Sequence, residues 1–228
     1  MHASPDSVRD DFDHIARLTE EAGEPGRAER ERHEDFLLRH VPRPCDTALE
    51  IGCGTGELAR RLAGRAGHVL AVDLSPEMIR IALERSAGHP NVEYRVADVT
   101  AWPFAPEGFD CIATVATLHH LPAAQLLRNM KESLRPGGVL LVQDVLDRPG
   151  LLALPRNAVA LAVRHLRRIR SGERREPAAL RAAWARHGSG ESYLRMAEVR
   201  SLCAAELPGA LIHEHLLWRF SIVWRKPA

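Results

Sequence analysis

Apolar residues recur at helical spacing near the start of the chain. Val8, Phe12, Ile15 and Leu18 form one stripe before Gly23-Glu24-Pro25-Gly26 interrupts it, which predicts a helix over about 6–22. A second helix over about 27–39 carries Phe36, Leu37 and Leu38 late, and Val41-Pro42-Arg43-Pro44 stops it. From residue 47 the pattern changes to short apolar runs separated by helical segments. Residues 47–51, 69–73, 92–97, 109–115 and 138–145 read as strands, and 57–64, 76–87 and 123–134 as helices. Ser75 is placed to cap the second of these helices, with Pro76 at its first position. Strands alternating with helices of this length predict a parallel sheet with right-handed crossovers.

After Arg148-Pro149-Gly150 the character shifts. Residues 151–190 hold nine arginines and no lysine, with Val159, Ala162, Leu166 and Ile169 on one helical face and Arg164, Arg167 and Arg168 off it. This predicts an amphipathic insert whose first helix breaks at Ser171-Gly172. Pro177 then opens another helix bearing Leu180, Ala183, Trp184 and His187. A further helix over about 197–207 ends at Pro208-Gly209. Residues 211–216 and 220–225 read as two strands, the second alternating Phe220, Ile222 and Trp224 against Ser221, Val223 and Arg225. The expected organisation is an N-terminal helical cap (1–44), a core (45–150), a helical insert over the substrate (151–190), and a C-terminal helix with edge strands completing the sheet (191–228).

Composition narrows the class. At 228 residues the chain fits one α/β domain with a modest insert. Lys and Arg total 31 against 30 Asp and Glu, so no global field would concentrate it on nucleic acid or an anionic membrane. Cys45, Cys53, Cys111 and Cys203 share no metal-like spacing, so neither a disulfide nor a metal is expected from them. The start has no basic segment followed by an apolar one, and no apolar stretch approaches the about 18 residues needed to span a bilayer. A cytoplasmic location follows as the expectation. The arginine- and alanine-rich composition is compatible with a high-GC bacterial source.

The chemistry is concentrated at Leu49-Glu50-Ile51-Gly52-Cys53-Gly54-Thr55-Gly56, with a second strand ending on Asp73. An apolar run, a glycine-rich turn, a helix and a second strand closing on an acid make a βαβ nucleotide-binding unit. The glycines admit a ligand close to the backbone, and the acid can hold two ribose hydroxyls. Glu50 stands where pyrophosphate would be repelled and an ammonium welcomed. The ligand that joins an α-amino group, a carboxylate and a ribose is S-adenosylmethionine (SAM).

The segment resembles the class I SAM-dependent methyltransferases, and the likeness continues through Asp73-Leu74-Ser75-Pro76-Glu77-Met78, Ala97-Asp98-Val99, Gly108-Phe109-Asp110 and Leu134-Arg135-Pro136-Gly137-Gly138, over roughly residues 45–147. The resemblance implies a Rossmann-like α/β fold: a mostly parallel seven-stranded sheet with an antiparallel edge strand, helices on both faces, N-terminal helices and a helical insert. It implies that Gly52, Cys53, Gly54 and Gly56 approach the methionine moiety and that Glu50 meets its ammonium. Asp73 would accept from the ribose hydroxyls, and Asp98 from the adenine amine with Val99 offering its N–H. Leu74 and Met78 would supply apolar faces, and Val115 its carbonyl.

Methyl transfer from a sulfonium is an in-line displacement in which alignment supplies much of the rate, and a base is needed only for a protonated nucleophile. His119 and His120, just past the fourth strand, are the candidates, either as base or as residues that shape the pocket. Thr114-Val115-Ala116-Thr117 stands where nucleobase amino-methyltransferases carry an Asn/Asp-Pro-Pro-aromatic motif, which argues against nucleic acid as substrate. His33, Arg156, Asn157, Trp184 and His187 are candidate liners of an acceptor site. The expectation is methylation of an oxygen or nitrogen on a small molecule, with no nucleic-acid or membrane partner. The sequence does not fix the oligomeric state, and a homodimer is one option. Two rivals share the SAM site: an enzyme using the sulfonium only as a fixed charge for a cyclisation or rearrangement, and a non-catalytic SAM-binding module. A dehydrogenase is the third.

Overall fold

The apolar runs that alternate with helical segments along the core, together with the two near the end of the chain, become the strands of one sheet. The computed structural model describes residues 5–22, 27–147, 154–171 and 176–228. Its elements are α1 (Pro5–Ala22), α2 (Arg27–Leu38), β1 (Thr47–Ile51), α3 (Glu57–Ala63), β2 (His68–Asp73), α4 (Pro76–Arg85), β3 (Val92–Val96), β4 (Phe109–Val115), α5 (Ala123–Ser133), β5 (Leu134–Val145), α6 (Leu154–Ser171), α7 (Ala178–Gly188), α8 (Met196–Glu206), β6 (Leu211–His215) and β7 (Arg219–Arg225). The breaks expected at 23–26, at 148–150 and at Gly172 lie outside the described residues.

The strand order is β3-β2-β1-β4-β5-β7-β6. Strands β1 to β5 pair in parallel, and β7 runs antiparallel to both β5 and β6. The order reverses between β1 and β4, which is where an open α/β sheet opens a crevice at its carboxyl edge.

Both faces are covered, so the central strands are apolar on both sides. Leu49, Ile51, Val72, Ile112 and Leu140 pack with Leu127 and Met130 of α5 and Val199 of α8. Ala48, Val69, Ala71, Cys111 and Leu141 pack with Leu37 of α2, Leu62 of α3 and Ile79 of α4. A third cluster joins Ile15 and Ala16 of α1 to Met78 and Ile81 of α4 and Leu180 and Ala183 of α7. This cluster carries the first helix and the insert to the same end of the sheet.

One boundary differs from the reading of the sequence. The stretch expected as a turn into a strand at 138 is already part of β5 from Leu134, with an irregular register between Phe109 and Cys111 on β4. The end of the chain draws it in: Gly137 donates its N–H to the Lys226 carbonyl, and Lys226 donates to Gly138. Arg135 adds a two-pronged contact to Asp110, at 2.9 Å to each carboxylate oxygen.

Candidate active site

At the carboxyl edge, β1 delivers Glu50 and Ile51 into the glycine turn. Gly52 has φ +71°, and a Cβ there would stand 2.1 Å from the Thr117 hydroxyl oxygen, so the turn after β4 presses directly on this backbone. Gly54 has φ +51° and nothing within 4 Å of its would-be Cβ, because it faces open space. That space is a cavity of ≈ 280 Å³ bordered by Glu50, Gly52, Cys53, Gly54, Asp73, Leu74, Met78, Asp98, Val99 and Val115. Gly56 does not border it. Its missing side chain makes room for Tyr94, whose hydroxyl would lie 2.4 Å from a Cβ.

Asp73 is organised by backbone. Gly54 donates its N–H to Oδ2 at 2.8 Å and Ser75 donates to Oδ1 at 2.9 Å. Burial pushes its carboxyl up from the ordinary value, while the N–H groups of Ser75, Gly54 and Leu74 pull the other way. Each oxygen keeps a lone pair for a further donor. Ser75 caps α4, accepting from the Met78 N–H at 3.0 Å, as its position before Pro76 implies. Its hydroxyl also donates to Asp13 of α1, whose Oδ1 accepts the Glu77 N–H at 3.3 Å. The first helix is thereby tied to the acidic end of β2.

Glu50 is 2 % exposed, and its Oε2 has no hydrogen-bond partner. Burial drives its carboxyl well above the usual carboxylate range, with Glu34 and Asp73 adding in the same direction. A buried carboxylate oxygen without a donor, beside two more acids, is chemically suited to a cation. An α-ammonium fits it, and the open face of Gly54 and the free lone pairs of Asp73 fit a ribose-bearing ligand. Asp98 Oδ1 accepts the Thr100 N–H at 2.8 Å and the Thr100 hydroxyl at 2.7 Å, which holds this turn at the cavity edge. The Val115 carbonyl accepts the Thr117 hydroxyl at 3.0 Å. Burial raises the Cys53 thiol far from thiolate formation, so this cysteine is wall and not nucleophile.

The histidine pair divides. His120 borders the cavity, and His119 does not. His119 turns inward: its N–H donates to Asp144 Oδ2 at 2.9 Å and its Nδ1 lies 2.6 Å from Oδ1. His120 Nδ1 lies 3.2 Å from Glu191 Oε1, with Phe12 edge-on at 5.4 Å between ring centroids. His187 stands behind, its Nδ1 3.3 Å from Asp11 of α1.

Of the expected acceptor liners, His33 and Trp184 border the cavity, together with Val8 and Phe12 of α1 and Leu180 of α7. Arg156 and Asn157 go elsewhere. Arg156 lies 3.5 Å from Glu214, and Asn157 accepts the Trp218 indole N–H at 2.8 Å, so α6 is pinned to the β6–β7 hairpin. Sequence reasoning did not find Thr117, Asp144, Glu191 or Asp13. Asp144 left a signal, a buried acid ending an apolar strand; Glu191, in a loop without periodicity, left none.

A sequence model of the methyltransferase-domain family matches residues 48–138. Over 200 residues the chain is 32% identical to an uncharacterised methyltransferase of Mycobacterium bovis, taking in 86% of this chain and 95% of that protein. It is 36% identical over 116 residues to a ubiquinone biosynthesis O-methyltransferase of Xylella fastidiosa, covering 49% of this chain and 46% of the relative, less than half of its length. Two solved structures share the fold at low identity. The cyclase SpnF has a TM-score of 0.71 at 16% identity, over 100% of this chain and 98% of its own. The N-methyltransferase NodS from Bradyrhizobium japonicum, with S-adenosylhomocysteine bound, has 0.58 at 20%, over 88% of each chain.

Proposed function

The chain belongs to the class I SAM-dependent methyltransferases, and on that premise we propose that it transfers a methyl group to an oxygen or nitrogen of a small-molecule acceptor. The observation that carries the proposal is one cavity joining an acidic set, Glu50, Asp73 and Asp98, to an apolar set, Phe12, Leu180 and Trp184, with His120 in its wall. The relative from Xylella, named for an O-methylation in ubiquinone biosynthesis, supports a small acceptor. So does the net charge of +1, which favours neither nucleic acid nor a membrane. Among the described residues no helix is long and apolar enough to cross a membrane, and the proposed setting is cytoplasmic.

SAM supplies a methyl group already activated on a sulfonium. The protein's part is to bind and align. Glu50 receives the ammonium, Asp73 the ribose hydroxyls, and Asp98 and Val99 the adenine edge. Leu74 and Met78 provide apolar contact, and the Val115 carbonyl a second acceptor for the ammonium. The cap helix α1 and the insert helix α7 wall the acceptor, since both reach the cavity and pack on each other through Ile15, Leu180 and Ala183. When the acceptor is a hydroxyl, one proton leaves as the carbon–oxygen bond forms and the carbon–sulfur bond breaks. The polar end that meets this proton is His120, with Glu191 at its Nδ1 and His119 held behind it by Asp144.

Calorimetric titration with S-adenosylhomocysteine, followed by mass spectrometry of a panel of phenols and amines incubated with SAM, tests the proposal. Binding and a gain of one methyl group are expected, with Asp73→Ala weakening the binding at least about tenfold. A product of unchanged mass would transfer the reading to a cyclisation or rearrangement, and absence of binding would end it.

A further inference from the structure

From the histidine cluster at the acceptor end, we infer a binding site for one divalent first-row transition metal ion, held by His119, His120 and Glu191 with His187 as a fourth donor. What such an ion would do rests on the proposed methyl transfer; that it binds does not.

One ligand atom from each of His119, His120 and Glu191 lies within 4.8 Å of the others. Donors around a tetrahedral ion at its usual bond lengths stand about 3.4 Å apart. His120 Nδ1 and Glu191 Oε1 are already 3.2 Å apart, and His187 Nε2 is 4.0 Å from the same oxygen. All four side chains are at least nine-tenths buried, at 6 %, 8 %, 10 % and 6 % exposure for His119, His120, Glu191 and His187. Three histidines and one carboxylate are a donor set that suits zinc and other first-row ions, and such ions expand to five-coordination to admit a further oxygen.

Two further features point to a ligand. His187 Nε2 is buried without a hydrogen-bond partner, while Nδ1 of the same ring faces Asp11. A ring fixed at one nitrogen by a carboxylate and left bare at the other is prepared as a metal donor. His119 repeats the arrangement: Asp144 occupies its Nδ1 at 2.6 Å, which leaves Nε2 as the ligating nitrogen. The carboxylates Asp144, Glu191 and Asp11 each face a histidine ring. The buried charge of Asp144 and Glu191, with the partly exposed Asp11 behind His187, calls for a cation at the centre. His120 also borders the cavity. An ion here would bind an acceptor oxygen and favour loss of its proton, taking over the role of a histidine base.

The test uses the full-length chain without a histidine tag, stripped with a chelator and titrated calorimetrically with zinc chloride and, separately, manganese chloride. One equivalent of at least one ion should bind and raise the melting temperature. Glu191→Gln should abolish that uptake, and Asp144→Asn should weaken it about 10–100-fold, with binding of S-adenosylhomocysteine kept as the check on folding. X-ray absorption on the wild-type zinc complex needs no variant and should show nitrogen and oxygen donors without sulfur. The inference is overturned if neither ion binds stoichiometrically, if Glu191→Gln binds as wild type does, or if sulfur ligates. Cofactor-product binding without metal uptake would sink this inference and leave the proposed function standing. Failure to bind the cofactor product would sink that function alone.

Discussion

Asp144 grips His119 at two points, accepting its backbone N–H at 2.9 Å on one oxygen and meeting its Nδ1 at 2.6 Å on the other. The acid stands near the end of β5 and the histidine in the turn after β4, so the contact locks two strand ends together beside the cavity. Both side chains are buried, and removing one partner strands the other away from water. Asp144→Ala should lower the unfolding free energy by about 3–5 kcal/mol, read by urea denaturation. A loss below about 1 kcal/mol would mean that the turn relaxes freely and that His119 needs no anchor.

Gly52 and Gly54 should respond differently to alanine. At Gly52 the added methyl meets Thr117, so Gly52→Ala should both destabilise the fold and abolish binding of S-adenosylhomocysteine. At Gly54 the added methyl points into the cavity, so the fold should lose only the about 1–2 kcal/mol of a left-handed alanine, while affinity falls at least about tenfold. Thermal melts and calorimetry on the two variants separate the cases. Intact affinity in Gly54→Ala would place the ligand elsewhere.

Glu50 predicts proton release. Burial raises its carboxyl well above the ordinary value, with Glu34 and Asp73 adding in the same direction, and a cation placed against it favours the charged form. Binding of S-adenosylhomocysteine should therefore release protons over the pH range in which this carboxyl is protonated in the free protein and charged in the complex, located by titrating at several pH values. Titrations in two buffers of different ionisation enthalpy would show it, and Glu50→Gln should remove the effect and weaken binding. Identical heats in both buffers for the wild type would contradict this account.

His215 predicts a pH dependence of stability. Burial, with His213 and Arg219 nearby, lowers its pKa from 6.5 to about 4. His33 and Phe36 of α2 pack on the ring, and its Nε2 meets the Ser221 hydroxyl at 2.8 Å. The unfolded chain binds a proton at this residue below about pH 6.5 and the folded chain does not. Its contribution is therefore complete above pH 6.5 and is lost progressively as pH falls toward 4. Wild type should lose more melting temperature than His215→Gln between pH 7.5 and 5. Equal losses would remove His215 from the explanation.

Ser75 and Glu50 mark how far local reading reaches. A serine before a proline that opens an apolar helical stripe is a cap by its own chemistry, and the structure shows the bond to Met78. The five core strands follow from short apolar runs in the same way, and the C-terminal pair from alternation. Glu50 is legible as an acid in a glycine turn, yet its missing partner is not, because that depends on α2 bringing Glu34 to the same place. Arg156 and Asn157 show the reverse error. Their chemistry suited a substrate, but the hairpin of β6 and β7 lies under α6 and takes both side chains.

The order of strands, helices and the glycine turn, and with it the family, is written in periodicities and motifs that act over fewer than about twenty residues, where sterics and burial choose locally. The meeting of Asp11, Phe12, His119, His120, His187 and Glu191 is not written there. Those residues come from the first helix, the middle of the chain and the segment around the end of α7, and converge because α1 and α7 bury Ile15, Leu180 and Ala183 against each other and against α4. Long-range burial, which carries no sequence period, settles which histidine reaches the cavity and which turns inward to an acid.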